Sequence, residues 1–259
     1  MDPAALREDM VDSIKTKVNV DDAVALAMRT VEREPFVADI GHTDRDSEAI
    51  GTRVLAPSLV ARLVSALNLN PSPQTQQHDT SGKTVDSTIT SVLIVGAGVG
   101  YTAAIIAELV GGRSVHAVDI DREVVYEARK NLSTTGHDSV LVDARDGAQG
   151  FAEYAPYDRI LVEAAAVDPP RALLEQLRTE GRLVLPLGGP KQTLTAVDHK
   201  GNTVDEFGPV AFNPLLVEGE LGSGPPRNRT RREDAEYRDN GYFAKTGWEH
   251  EWIDWENQL

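Results

Sequence analysis

The 259-residue chain has no cysteine and a deficit of bases: 26 Lys+Arg stand against 41 Asp+Glu, a formal net charge of −15. Without cysteine there are no disulfides, no thiolate nucleophile and no cysteine-ligated zinc. A surface this negative repels phosphate backbones, so nucleic acid is not an expected partner. No apolar run approaches the roughly 18 residues of a membrane span, and no membrane is expected either. No histidine pair stands at metal-ligand spacing, so no metal is predicted. The opening MDPAALREDM lacks the basic start and apolar stretch of a secretion signal, which predicts a cytoplasmic address. What is present, 41% apolar residues over this length, suffices for one large soluble domain plus an appendage.

Residues 1–70 read as an N-terminal helical segment, with Val20, Val24, Ala27, Met28 and Val31 at helical spacing and Asp21 or Asp22 as a cap. A second helix is predicted from Pro57 to Leu67, with the proline in its first turn. Residues 71–90 are polar and read as a solvated insertion without chemistry. From 91 to 215 the pattern alternates. Strands are predicted at Ser91–Val95, Ser114–Asp119, Ser139–Val142, Arg159–Val162 and Arg182–Leu187, and helices at Tyr101–Val110, Glu123–Leu132 and Arg171–Arg178. Such alternation predicts an α/β fold, doubly wound on a mostly parallel sheet covered on both faces. Thr193–Asp198 and Thr203–Phe212 read as an antiparallel ending, and 216–259 as a Gly/Pro/Arg linker and a Trp-bearing extension.

The chemistry concentrates in SVLIVGAGVGYTAAIIAELVG, where a strand runs through Gly96, Gly98 and Gly100 straight into a helix. Glycine permits both the tight turn and the close approach of a ligand, and the helix start offers free N–H groups. Tyr101 stands where the dinucleotide fingerprint requires its last glycine, which disfavours a nicotinamide oxidoreductase. Asp119 ends the next strand, about twenty residues on, where a carboxylate can accept both ribose hydroxyls; the alternative is a helix cap. Asp146, after the third strand, can take an adenine amine or serve as a turn-former before Gly147. An adenosine held without a pyrophosphate grip suits a nucleoside sulfonium, S-adenosylmethionine.

In that order the residues resemble the class I, Rossmann-like methyltransferases, and one family closely: the protein-L-isoaspartate (D-aspartate) O-methyltransferases. LREDMV, AMRTVEREPFV, APSLVARLVSAL, the glycine turn, APYDRILVEAAA, LLEQLRTEGRLVLPLG and FGPVAFNPL carry the likeness from about Leu6 to Leu215. The resemblance implies transfer of the S-adenosylmethionine methyl to an isoaspartyl carboxylate of a protein or peptide, the first step of protein repair, with S-adenosylhomocysteine as product. It implies a cofactor site of Gly96, Ala97, Gly98, Gly100, Tyr101, Asp119, Ile120, Asp146 and Gly147, and a substrate pocket lined by Val54, Leu55, Ala56 and Pro57. With lysine only seven of the bases, the acid surplus adds the expectation of a halophilic, archaeal source.

The chain departs from that pattern in the pocket. Leu55 occupies the family's serine position and Arg53 its threonine, with Thr52 or Ser58 as replacement hydroxyls; HTDRDSEAI precedes them. Ile94 replaces an acid in the strand before the glycine turn, and Glu163 a threonine. The alternative expectation is therefore a cofactor-binding member acting on another protein substrate or as an adaptor, while Leu55 in a bland reading packs on the N-terminal helices. Trp248, Trp252 and Trp255 share one helical face, to dock in cis or hold a partner protein, behind an Arg227, Arg229, Arg231 and Arg232 cluster. The oligomeric state is left open.

Overall fold

A computed structural model describes residues 2–37, 41–69 and 89–216. The insertion to residue 88 and the Trp-bearing extension beyond Leu216, with its arginine cluster, lie outside the described residues. The chain opens with α1 (Pro3–Lys17), where Asp2 accepts from the Ala4 amide at 3.0 Å, and α2 (Asp22–Thr30). Asp21 takes the cap position of α2 without a side-chain bond.

The next segment corrects the helical expectation. Residues Ser47–Ala49 (β1) and Thr52–Val54 (β2) pair antiparallel across a two-residue turn at Ile50 and Gly51, whose φ values are +46° and +76°. Both central residues are left-handed, as the hairpin geometry that matches strand twist requires. The signal was hidden because a β-branched isoleucine stands where asparagine is usual. α3 (Pro57–Ala66) follows as expected.

The main body is a seven-stranded sheet: β3 (Val92–Val95), β4 (Val115–Asp119), β5 (Leu141–Ala144), β6 (Tyr157–Val162), β7 (Leu177–Leu187), β8 (Gln192–Val197) and β9 (Thr203–Val210). Their spatial order is β5-β4-β3-β6-β7-β8-β9, parallel as far as β7 and antiparallel through β8 and β9. α4 (Tyr101–Val110), α5 (Arg122–Thr134) and the short α6 (Arg171–Glu175) make the crossovers. Every side chain of β3 is buried, and the two-residue period divides them. Val92 and Ile94 join the core beneath the N-terminal helices and α4, whereas Leu93 and Val95 join a second core with Phe151, Tyr157 and Leu173.

The α6 helix stops short of the predicted Arg178, and β7 starts at Leu177 rather than Arg182. Gln176 decides this: its side chain is buried, accepts from the Phe151 amide at 2.8 Å and donates to the Gln149 carbonyl at 2.8 Å. Fixing both ends of that amide ends the helix early. On entry to β3, Asp158 accepts from the amides of Thr90 (2.9 Å) and Ser91 (3.1 Å), and Ile89 is already buried in the core.

Candidate functional site

The strand order reverses between β3 and β6, and in open α/β sheets a crevice forms there at the carboxyl ends. Into it the sequence turns its glycines. Gly96, Gly98 and Gly100 have φ of +88°, +50° and +94°, a left-handed path that side chains resist. A Cβ at Gly98 would meet nothing within 4 Å, so this turn is open toward the crevice. The amides of Gly96 and Ala97 both donate to the Val118 carbonyl at 2.9 Å, which ties the turn to β4.

Asp119 stands at the end of β4. Its carboxylate accepts from the Gly98 amide (3.0 Å) and the Asp121 amide (3.1 Å), and so shapes the turn while facing the crevice. Burial raises its pKa, and these donors work the other way. A carboxylate has about four lone-pair sites, so two donors leave room for a pair of hydroxyls. Asp119 is not a helix cap: Asp121 caps α5 by accepting from Glu123 at 2.8 Å. Ile120 follows in the same bend.

Asp146 does take the turn-former's role, accepting from the Ala148 amide at 2.9 Å. The Arg145 amide donates to the Asp119 carbonyl at 2.9 Å, which joins the ends of β4 and β5 just before Asp146. A Cβ on Gly147 would come within 2.4 Å of Val95 Cγ1, so only glycine lets the chain pass this close to β3.

The pocket segment reaches the same crevice from the other side. Leu55 is buried in the core and, with Arg53, Val54, Gly98, Tyr101 and Glu163, borders a cavity of about 20 Å³. Leu55 thus packs in the core while its surface also borders this cavity. HTDRDSEAI builds the support: Asp46 accepts from the Ala56 amide at 2.8 Å and Asp44 from the Ser58 amide at 2.9 Å. Two carboxylates thus satisfy the orphan amides at the start of α3, where Pro57 occupies the first turn. Arg53 is held by Asp46 (2.7 Å) and donates to the Ala211 carbonyl at 2.7 Å. Thr52 and Ser58 are half-buried on either side of Leu55.

Two residues given no role by sequence reasoning complete the site. Arg33 is fully buried, and its guanidinium donates to the carbonyls of Leu55 (3.1 Å), Thr43 (3.2 Å), Arg45 (3.3 Å) and Gly41 (3.4 Å). It lies 5.7 Å from the centre of the Tyr101 ring, which also packs on Phe36 at 5.5 Å. Burial pushes the Tyr101 hydroxyl up to about 12. Arg33 stands between Glu32 and Glu34 in the sequence, and nothing in that charged stretch signals a buried guanidinium.

The other is Glu163, just past β6, whose amide donates to the Val95 carbonyl at 2.8 Å. Its Oε1 is buried without a hydrogen-bond partner among the described residues. Burial pushes its carboxyl up to about 7; the Thr102 hydroxyl and Arg53 pull it down, and Asp119 adds to the rise. The native carboxyl thus keeps its proton above the ordinary value of 4.5. Its stability contribution is fully present below about pH 4.5 and is lost as the pH rises through about 7. Glu163→Gln is therefore expected to match the parent at pH 4 and exceed its stability by about 2–3 kcal/mol at pH 8. Urea unfolding at both values checks this; a variant no more stable at pH 8 contradicts the buried carboxyl.

Among the described residues no group of acids and histidines could hold a metal, and no helix is long and apolar enough to cross a membrane. Residues 83–219 match the sequence pattern of the protein-L-isoaspartate(D-aspartate) O-methyltransferase family. Protein-L-isoaspartate O-methyltransferase 2 of Archaeoglobus fulgidus is 34% identical over 231 residues, which cover 86% of this chain and 97% of that protein. The protein-L-isoaspartate O-methyltransferase of Methanocella arvoryzae is 38% identical over 197 residues, 73% of this chain and 96% of its own. The fold is similar to a Plasmodium falciparum structure described as a beta-aspartate methyltransferase in complex with S-adenosyl-L-homocysteine. That likeness has a TM-score of 0.64 at 20% identity and covers 81% of this chain and 98% of that one.

Proposed function

The chain belongs to the protein-L-isoaspartate(D-aspartate) O-methyltransferase family, and from that membership we propose that it is an S-adenosylmethionine-dependent methyltransferase acting on a protein carboxyl group of the isoaspartyl type. The observation that carries the reading is the meeting of the glycine turn, Asp119 and the Val54–Ser58 segment at one crevice.

The residues fit the cofactor: an open glycine turn and a half-buried carboxylate with acceptor capacity left, beside a bend at Gly147 where a side chain would strike Val95. When bound, S-adenosylmethionine supplies a methyl group activated by its sulfonium, leaving S-adenosylhomocysteine. Asp119 would hold the ribose, Asp146 and Gly147 the adenine edge, and Gly96, Ala97, Gly98 and Gly100 the path between, with Ile120 and Tyr101 as flanks. Val54, Leu55, Ala56 and Pro57 would line the acceptor side. The acceptor carboxylate is already ionised at neutral pH, so the protein has no proton to remove. What it contributes is alignment of that oxygen with the methyl and exclusion of water. Arg33 does this at one remove, by holding the Leu55 carbonyl.

A second reading is favoured by one feature. Leu55 and Glu163 together make the acceptor side greasier and more acidic than a carboxylate would choose, which supports a different protein substrate. Methyl transfer to an isoaspartyl peptide, measured at high salt, separates the two. Activity in the natural protein, rising about two- to tenfold in kcat/KM in Leu55→Ser, is expected for isoaspartyl repair. No transfer by either protein, with cofactor binding intact, would leave the second reading. The acidic, lysine-poor composition supports a cytoplasm of high salt as the setting. The face of Trp248, Trp252 and Trp255 remains a proposal for a protein partner or an intramolecular dock.

A further inference from the structure

The transfer outlined above makes no use of Glu163, yet this side chain occupies a defined place in the site. The strand order β5-β4-β3-β6 sets Asp146, Asp119, the glycine turn and Glu163 in a row along the carboxyl ends of the sheet. Three strand spacings of about 4.8 Å separate the first from the last, about 14 Å in all. A nucleoside lying with its adenine at β5 and its ribose at β4 directs its amino-acid end toward β6. There Glu163 borders the small cavity with Gly98 and Leu55, and its Oε1 is a buried acceptor without a donor among the described residues.

The charged and titratable groups facing it are Asp119 from β4, Arg53 from β2 and Tyr101 from α4, beside the Thr102 hydroxyl. Arg53 is already taken up by Asp46 and the Ala211 carbonyl. A buried acceptor of this kind needs a hydrogen-bond donor. A sulfonium centre has none, whereas an ammonium group carries three. We propose that Glu163 receives the α-ammonium group at the methionyl end of the cofactor, as a charge-assisted hydrogen bond to its unpaired carboxylate oxygen. This rests on the reading of the crevice as an S-adenosylmethionine site and deepens it.

Pairing with a cation requires the ionised carboxylate, so binding must expel the proton that Glu163 carries in the free protein. Calorimetric titrations at pH 7 in two buffers of different ionisation enthalpy count that proton. The ligands are S-adenosylmethionine, S-adenosylhomocysteine and 5′-methylthioadenosine, which has no amino-acid end. The natural protein is expected to release about half a proton with each of the first two and almost none with the third. Glu163→Gln is expected to release none and to bind the first two about tenfold more weakly. Its unchanged affinity for methylthioadenosine reports that the site is still formed. Unchanged S-adenosylmethionine affinity in the variant, or the same proton release from both proteins, overturns the proposal. Unchanged affinity with lost turnover also overturns it, in favour of a proton-transfer role. If the natural protein binds no S-adenosylmethionine, the reading beneath falls with it.

Discussion

Arg33→Met is expected to destabilise the protein by about 3–5 kcal/mol and to free the segment from residue 41 to Leu55. The native guanidinium is fully buried and donates to four carbonyls drawn from that stretch. Burial lowers its pKa, and Tyr101, Asp44, Asp46 and Glu34 favour its charge. Methionine matches the volume and removes the cost of burying a charge. It leaves the carbonyls without donors in a place water does not reach, which outweighs that relief. Urea unfolding gives the total, and hydrogen exchange at the amides of Ala56 and Ser58 gives its location. A loss under about 1 kcal/mol, or protection unchanged there, would show that the hairpin and the Asp44 and Asp46 caps hold the segment alone. Because Leu55 is one of the four carbonyls, cofactor-dependent methylation should fall further than stability.

The second large effect is on binding. Asp119→Ala is expected to weaken S-adenosylmethionine binding by at least about a hundredfold, through loss of charge-assisted bonds to two hydroxyls and slackening of the turn at Gly98. Stability should change far less. The carboxylate's desolvation cost disappears along with its bonds to the Gly98 and Asp121 amides, and the two offset. Asp119→Asn, which keeps one acceptor, should fall between. Calorimetry beside thermal melting checks the pair of expectations; affinity within threefold of the parent would remove Asp119 from the site.

The parallel body was legible because its local and global signals agree. β3 is a short run of apolar residues that the sheet buries on both faces, and α4 opens directly from glycines that only the turn could need. The antiparallel ending at β8 and β9 was read correctly for the same reason. The hairpin was not, since Ile50 at φ +46° is a residue whose own preference opposes the turn. Nor was the early end of α6, where Gln176 bonds to residues 25 and 27 positions away.

The absence of cysteine excluded disulfide and thiolate chemistry before any fold was known, and the glycine spacing with Asp119 led to the expectation of a nucleoside site. These properties belong to residue types or to neighbours along the chain. Glu163 stood out in the sequence only as a replacement for a threonine, and the burial of Arg33 and Glu163 was beyond such reading. An arginine in the core and a carboxyl that holds its proton to about pH 7 are defined by burial, and burial is created by segments far apart in sequence meeting at one crevice. Only the tertiary structure could turn Leu55, Arg53 and Glu163 into the walls of one cavity.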